Sequence, residues 1–145
     1  MADNRDWIAK AAIAELITRY AALNDAADWE AVAALYVEEG RMSRPIAPDN
    51  FIVGRRAILE AFRARPARVT RHIVVNILVT LEGEARASAT SQILLFTGKA
   101  SESGGLPALS SPVPLIGSYR DRLVHAEQGW RFVERRGSLD FSASH

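Results

Sequence analysis

The hydrophobic pattern of this chain changes period once, near Thr70, and that switch sets the fold class. Before it, Ile13, Leu16, Ile17 and Tyr20 fall at i, i+3, i+4 and i+7 and share one face of a helix. After it, long β-branched runs alternate side by side with polar residues, the period of strands. Helices first and strands afterwards, with no internal repeat and no linker, predict one α+β domain over residues 1–145. A chain of 145 residues is of the commonest one-domain size. It can bury roughly two-thirds of the surface its unfolded form exposes.

Local signals divide the two halves. The first helix is interrupted at residues 24–28, where Asp28 is placed to cap a second helix carrying Trp29, Val32, Ala33, Leu35 and Tyr36 and ending near Gly40. Pro45 and Pro48 make residues 41–53 irregular chain or short edge strands. A third helix follows Gly54 with Ala57, Ile58, Ala61 and Phe62 as its apolar stripe, and Pro66 stops it. Residues 70–81 read as a strand, Glu82-Gly83-Glu84 as a turn, and residues 85–97 as its antiparallel return. The stretch 98–114 is rich in Gly, Ser and Pro and longer than a compact domain needs, so it reads as a lid or a mobile insert. Residues 115–125, a turn at 127–129 and residues 130–141 form a second hairpin.

Composition narrows the function classes. With 48% hydrophobic and 24% charged residues and a net charge of +1, the chain is globular, and it lacks the cationic excess of a nucleic-acid binder. No apolar run reaches the roughly 18 residues of a membrane span. The polar start, Met1 to Asp6, has no export signal, which makes the cytoplasm the default location. Zero cysteines exclude disulfides, thiol nucleophiles and cysteine-bound zinc. No H-E-x-x-H or paired histidine suggests a metal, and Ser103-Gly104-Gly105-Leu106 precedes no helix that could cradle a nucleotide. The expectation is therefore no metal and no cofactor.

Strict alternation splits residues 70–81 into two faces: Ile73, Val75, Ile77, Val79 and Leu81 against His72, Val74, Asn76, Leu78 and Thr80. Either the apolar face packs on the helices and His72 meets water, or His72 and Asn76 face a cavity. In the second case the apolar face needs another subunit, so a homo-oligomer, most simply a dimer through the outer sheet face, is implied. The small residues Ala85, Ala87, Ala89 and Ser91 would leave room above the sheet, and Gly117, Tyr119 and Asp121 share a face of a later strand.

Of the three histidines, His145 is terminal and His125 sits at a strand end beside Gln128-Gly129. His72 begins a mostly apolar strand, where imidazole can take and return a proton near neutrality. Asp25, at the end of the first helix, is a candidate to hold that imidazole in one tautomer, or else a turn residue. Asp121 is an inward acid or the partner of an arginine on a neighbouring strand. Arg55, Arg56, Arg63, Arg65, Arg68 and Arg71 form a basic run with Glu60 its only acid. It is a solvated helix face, or else a site for an acidic partner or an anionic substrate group at a pocket mouth.

Taken in order, Asp25-Ala26-Ala27-Asp28-Trp29-Glu30, Leu35-Tyr36, Gly54-Arg55-Arg56-Ala57-Ile58, Thr70-Arg71-His72, Asn76, Gly117-x-Tyr119-x-Asp121-x-Leu123 and Gly129-Trp130-Arg131 resemble the SnoaL-like branch of the nuclear transport factor 2-like superfamily. The resemblance runs from about Ile13 to Leu139. It implies a cone-shaped α+β barrel, with N-terminal helices in the concave face of a strongly curved antiparallel sheet and a pocket within. The segment Asp25-x-x-Asp28-Trp29 is similar to that of scytalone dehydratases, in which the first aspartate pairs with a catalytic histidine matching His72. Asn24 stands where that pattern has tyrosine, and Ser91 lies near the place of its second histidine. The resemblance thus implies a small cofactor-free enzyme, a dehydratase or isomerase, acting on a hydrophobic cyclic or aromatic molecule. His72 and Asp25 would be catalytic, and Tyr20, Trp29, Asn76, Ser91, Tyr119 and Asp121 would bind the ligand. The chain is also similar to the beta subunits of ring-hydroxylating dioxygenases, which implies the alternative of a non-catalytic binding or structural module.

Overall fold

The computed structural model describes residues 3–142. Asp3 accepts the Arg5 backbone N–H and opens α1 (Asn4–Asp25), whose buried face is Ile13, Leu16, Ile17, Tyr20, Ala21 and Asn24. The helix ends where Ala27 adopts a left-handed conformation, φ 54°. Asp28 then caps α2 (Trp29–Ala34) by accepting the Ala31 N–H at 3.2 Å. This helix is shorter than the periodicity predicts. Phe132 donates its N–H to Leu35 O at 2.8 Å, which draws Tyr36 out of the helix and into the sheet. The chain continues as β1 (Tyr36–Arg44) and β2 (Ala47–Val53), an antiparallel hairpin whose register shifts between Met42 and Arg44, with Pro45 and Ile46 between the strands. Gly54, at φ 98°, turns it into α3 (Arg55–Arg63).

The remaining strands are β3 (Val69–Leu81), β4 (Arg86–Lys99), β5 (Ala108–Leu109), β6 (Leu115–Ala126) and β7 (Gly129–Leu139). They form a single open sheet in the order β2-β1-β7-β6-β4-β3, with β5 pairing beside β4. The pairing of β1 with β7 is parallel and the others are antiparallel, so the sheet is mixed rather than wholly antiparallel. Helix α1 lies across β3, and the core between helices and sheet contains Ile13, Ile17, Val32, Tyr36, Ile58, Phe62 and Phe132. None of the helices among the described residues is long and apolar enough to cross a membrane.

Strict alternation along β3 fails at one point. Val75 pairs with Gln92 and Leu78 with Thr90, so Asn76 and Ile77 together oppose Ser91. Asn76 takes the extra place in a left-handed conformation, φ 53°. The bulge reverses the phase of the strand. His72 and Val74 therefore share the inward face with Ile77, Val79 and Leu81, while Ile73 and Leu78 point outward, 43% and 69% exposed. The five-residue outer stripe expected from alternation does not exist, because its second half packs on the core.

Candidate active site

The end of α1 meets the start of β3 through one side chain. The Asp25 carboxylate accepts the His72 backbone N–H at 3.0 and 3.1 Å and the Thr70 hydroxyl at 2.9 Å. Its Oδ1 also lies 2.6 Å from His72 Nδ1. The two side chains are only 10% and 13% exposed. With Nδ1–H committed to the carboxylate, the neutral ring presents Nε2 as a proton acceptor. Burial pushes the imidazole pKa below its ordinary value, and Arg65 and Arg68 add to that, against the hydrogen bond and charge of Asp25. The lowered pKa favours the neutral ring.

His72 forms part of the wall of a cavity of about 300 Å³. Ile93, Leu95, Leu115 and Leu139 give it an aliphatic side, and Tyr20, Asn24, Tyr119, Arg44, Arg65 and Arg68 supply its polar groups. A second space of about 190 Å³, on which Trp29 and Thr70 border, also touches His72. Tyr119 is buried, its phenol pushed up to about 12 by removal from water, so it stays a proton donor. The Tyr20 hydroxyl is 3.0 Å from that of Tyr36, and burial raises the pKa of both phenols.

The residues expected from sequence divide into three groups. His72, Asp25, Tyr20 and Tyr119 are brought together at the main cavity, with Asp25 behind the imidazole rather than on the wall. Trp29 borders the smaller space and stacks on Phe62 at 5.4 Å. The other three lie elsewhere. The bulge turns Asn76 outward, where its amide donates to Gln92 Oε1 at 2.7 Å. Ser91 is 1% exposed, its hydroxyl without a partner and off the cavity wall. Asp121 is consumed by Arg135, which donates to it from Nε at 2.9 Å and Nη2 at 3.3 Å. That guanidinium lies 4.4 Å from the Tyr20 ring, 3.9 Å from Tyr119 and 4.7 Å from Phe132. Burial opposes the Arg135 charge, but Asp121 and the surrounding phenols outweigh it.

His125 is exposed and meets Trp130 edge-on at 5.3 Å, a structural placement, and His145 lies outside the described residues. Among the described residues, no three His, Cys, Asp or Glu side chains gather as metal ligands. Sequence reasoning missed Asn24 and Arg44 as wall residues. Asn24 sits one turn after Tyr20 on the buried face of α1, a signal that was available. Arg44 depended on recognising a strand in a proline-containing stretch.

An open, curled mixed sheet enclosing helices and a side cavity defines the cone of the nuclear transport factor 2-like, cystatin-like folds. The chain belongs to the SnoaL-like domain family, whose model matches residues 5–136. It is similar to a solved nuclear transport factor 2-like protein of cystatin-like fold from Novosphingobium aromaticivorans, at 28% identity and TM-score 0.76, covering 96% of this chain and 87% of that one. A candidate scytalone dehydratase from the same organism superimposes with TM-score 0.79 at 23% identity, over 98% of this chain and 91% of that one. A protein of unknown function from Mycobacterium tuberculosis gives TM-score 0.73 at 25% identity, over 94% and 79%. Among curated proteins, no sequence matches this chain.

Proposed function

We propose that this protein is a cofactor-free acid/base enzyme acting on a hydrophobic cyclic or aromatic molecule. The observation that carries the reading is the 2.6 Å contact between Asp25 and the Nδ1 of His72, whose imidazole forms part of the wall of a cavity with an aliphatic side. His72 Nε2 removes a proton from the carbon next to a carbonyl, leaving an enolate, while Asp25 stabilises the imidazolium that forms. Tyr119 donates a hydrogen bond to the carbonyl oxygen as it gains charge. The imidazolium then returns its proton, either to a β-hydroxyl that leaves as water or to another carbon of the conjugated system. The first outcome is a dehydration and the second an isomerisation. Support for the class also comes from the family and from a solved neighbour described as a candidate scytalone dehydratase.

Deuterium exchange tests the shared first step without knowledge of the natural substrate. A benzo-fused cyclic ketone such as 2-tetralone is incubated in D₂O with the protein, and loss of its α-proton signal is followed by NMR. His72→Ala should reduce protein-dependent exchange by about 10²–10⁴-fold. Binding of the ketone with exchange no faster than in buffer would establish the carrier alternative instead.

A further inference from the structure

Several arginines make no ion pair among the described residues, Arg55, Arg71, Arg86, Arg120 and Arg131 as well as three that share one cavity wall. On the surface Arg19, Arg56 and Arg136 pair with Glu15, Glu60 and Asp49, and in the interior Arg135 pairs with Asp121. Arg44, Arg65 and Arg68, which line the main cavity, make no ion pair with a carboxylate among the described residues. No Asp or Glu lies on that wall, and the nearby Asp25 is already engaged by Thr70 and His72.

Arg65 shows the imbalance most directly. Its guanidinium lies over the Phe62 ring at 4.3 Å, and its hydrogen bond goes to the neutral Asn24 amide oxygen at 3.4 Å. Burial weakens its hold on its proton, and the charges of Arg44 and Arg68 act in the same direction, partly opposed by Tyr20 and Tyr119. Arg44 donates from Nη2 to Ala61 O at 3.0 Å, while its Nε is buried without a partner. Arg68 is exposed, but Arg44 and Arg65 are partly desolvated, and such cations facing one cavity with no acid on its wall are unfavourable until an anion arrives.

We propose that the molecule this cavity accepts carries a carboxylate, held by Arg44 and Arg65, with its apolar body against Ile93, Leu95, Leu115 and Leu139. This rests on the reading that the cavity beside His72 is the ligand site. The guanidinium fork matches the planar oxygen pair of a carboxylate. The aliphatic wall suits a single charge on an apolar skeleton better than a polyanion such as a nucleotide. An anion in this position also offsets the Arg65 and Arg68 charges that act on His72 against Asp25. Binding would therefore strengthen the base.

Dissociation constants of 2-naphthoate, 2-naphthamide, 2-naphthol and 2-naphthyl phosphate, measured by calorimetry, test the proposal. The carboxylate should bind about tenfold or more tightly than the amide, and the difference should shrink with added salt. Arg65→Met keeps an apolar stem over Phe62 and should bring the two within about threefold, with the amide unchanged. Arg44→Gln is the parallel variant should Arg65→Met fold poorly. An amide equal to the carboxylate in the wild-type protein, a preference that survives both substitutions, or tighter binding of the phosphate would overturn the carboxylate assignment. His72→Ala separates the two proposals. A charge preference without His72-dependent exchange defeats only the enzyme reading, and exchange without a charge preference defeats only this one.

Discussion

Asp25 holds His72 at two places, taking its backbone N–H at 3.0 Å and facing its ring Nδ1 at 2.6 Å. The first contact fixes where the strand runs relative to α1, and the second fixes which ring nitrogen faces the cavity. Position and tautomer are thus set by one carboxylate. Asp25→Asn retains the shape but can offer an N–H to Nδ1, which favours the tautomer with the proton on Nε2. We expect protein-dependent exchange to fall by about 10²-fold or more while the fold survives. Nitrogen NMR of the imidazole should show Nε2 as the unprotonated nitrogen in the wild type and the reverse in the variant. An unchanged tautomer would remove the orienting role.

The His72 pKa is depressed from its ordinary 6.5, by burial first. Below that ordinary value the unfolded chain takes up a proton that the native ring still refuses, so the native state loses stability as pH falls through the window down to the native pKa. Above 6.5 both states are neutral at this position, and the group contributes no pH dependence. The proposed exchange reaction needs His72 as the free base, so protein-dependent exchange should fall over the lower part of the same window. Urea denaturation of the wild type and of His72→Asn at pH 7.5, 6.5 and 5.5 isolates this group. The gap in stability between the two should move against the wild type as pH falls, and a constant gap would contradict the depressed pKa.

Sequence exposed the fold through periodicity, which is a local property. The face of α1, the strands from residue 69 onward and the Asp28 cap all follow from nearest-neighbour chemistry. The parallel β1–β7 pairing did not, because a strand starting at Tyr36 is held by Phe132 from the far end of the chain. The candidate site was partly legible. His72 stood out as a titratable group in an apolar strand, but its juxtaposition with Asp25 was suggested by family resemblance and by the place where α1 ends. Asn76, Ser91 and Asp121 were misplaced for separate reasons: a bulge alternation cannot foresee, a buried position that misses the cavity, and an ion pair with Arg135.

Asn76 has a structural task that follows from that bulge. Its left-handed backbone, φ 53°, suits Asn and Gly and strains β-branched residues. Asn76→Val should destabilise the protein by about 1–3 kcal/mol, while Asn76→Gly should be much milder. Both should bind 2-naphthoate normally when folded, since the side chain faces Gln92 and not the cavity. Equal stability of the two variants in urea would show that the bulge does not depend on the conformation at this residue.

The Asp121–Arg135 pair supports the cavity from beneath, because the rings packed on its guanidinium include Tyr20 and Tyr119, both wall residues. Its side chains are 0% and 1% exposed, so removing one partner leaves the other charge without water or counter-ion. Asp121→Leu or Arg135→Met should each lower stability by about 3–5 kcal/mol. The double variant Asp121→Leu/Arg135→Met restores neutrality and should recover most of that loss. Recovery of stability alone, with weakened 2-naphthoate binding, would be the signature of a pair that positions the tyrosines. If the double variant is as unstable as the sum of the two singles, the pair is not the unit that matters, and the rings must be held by other contacts.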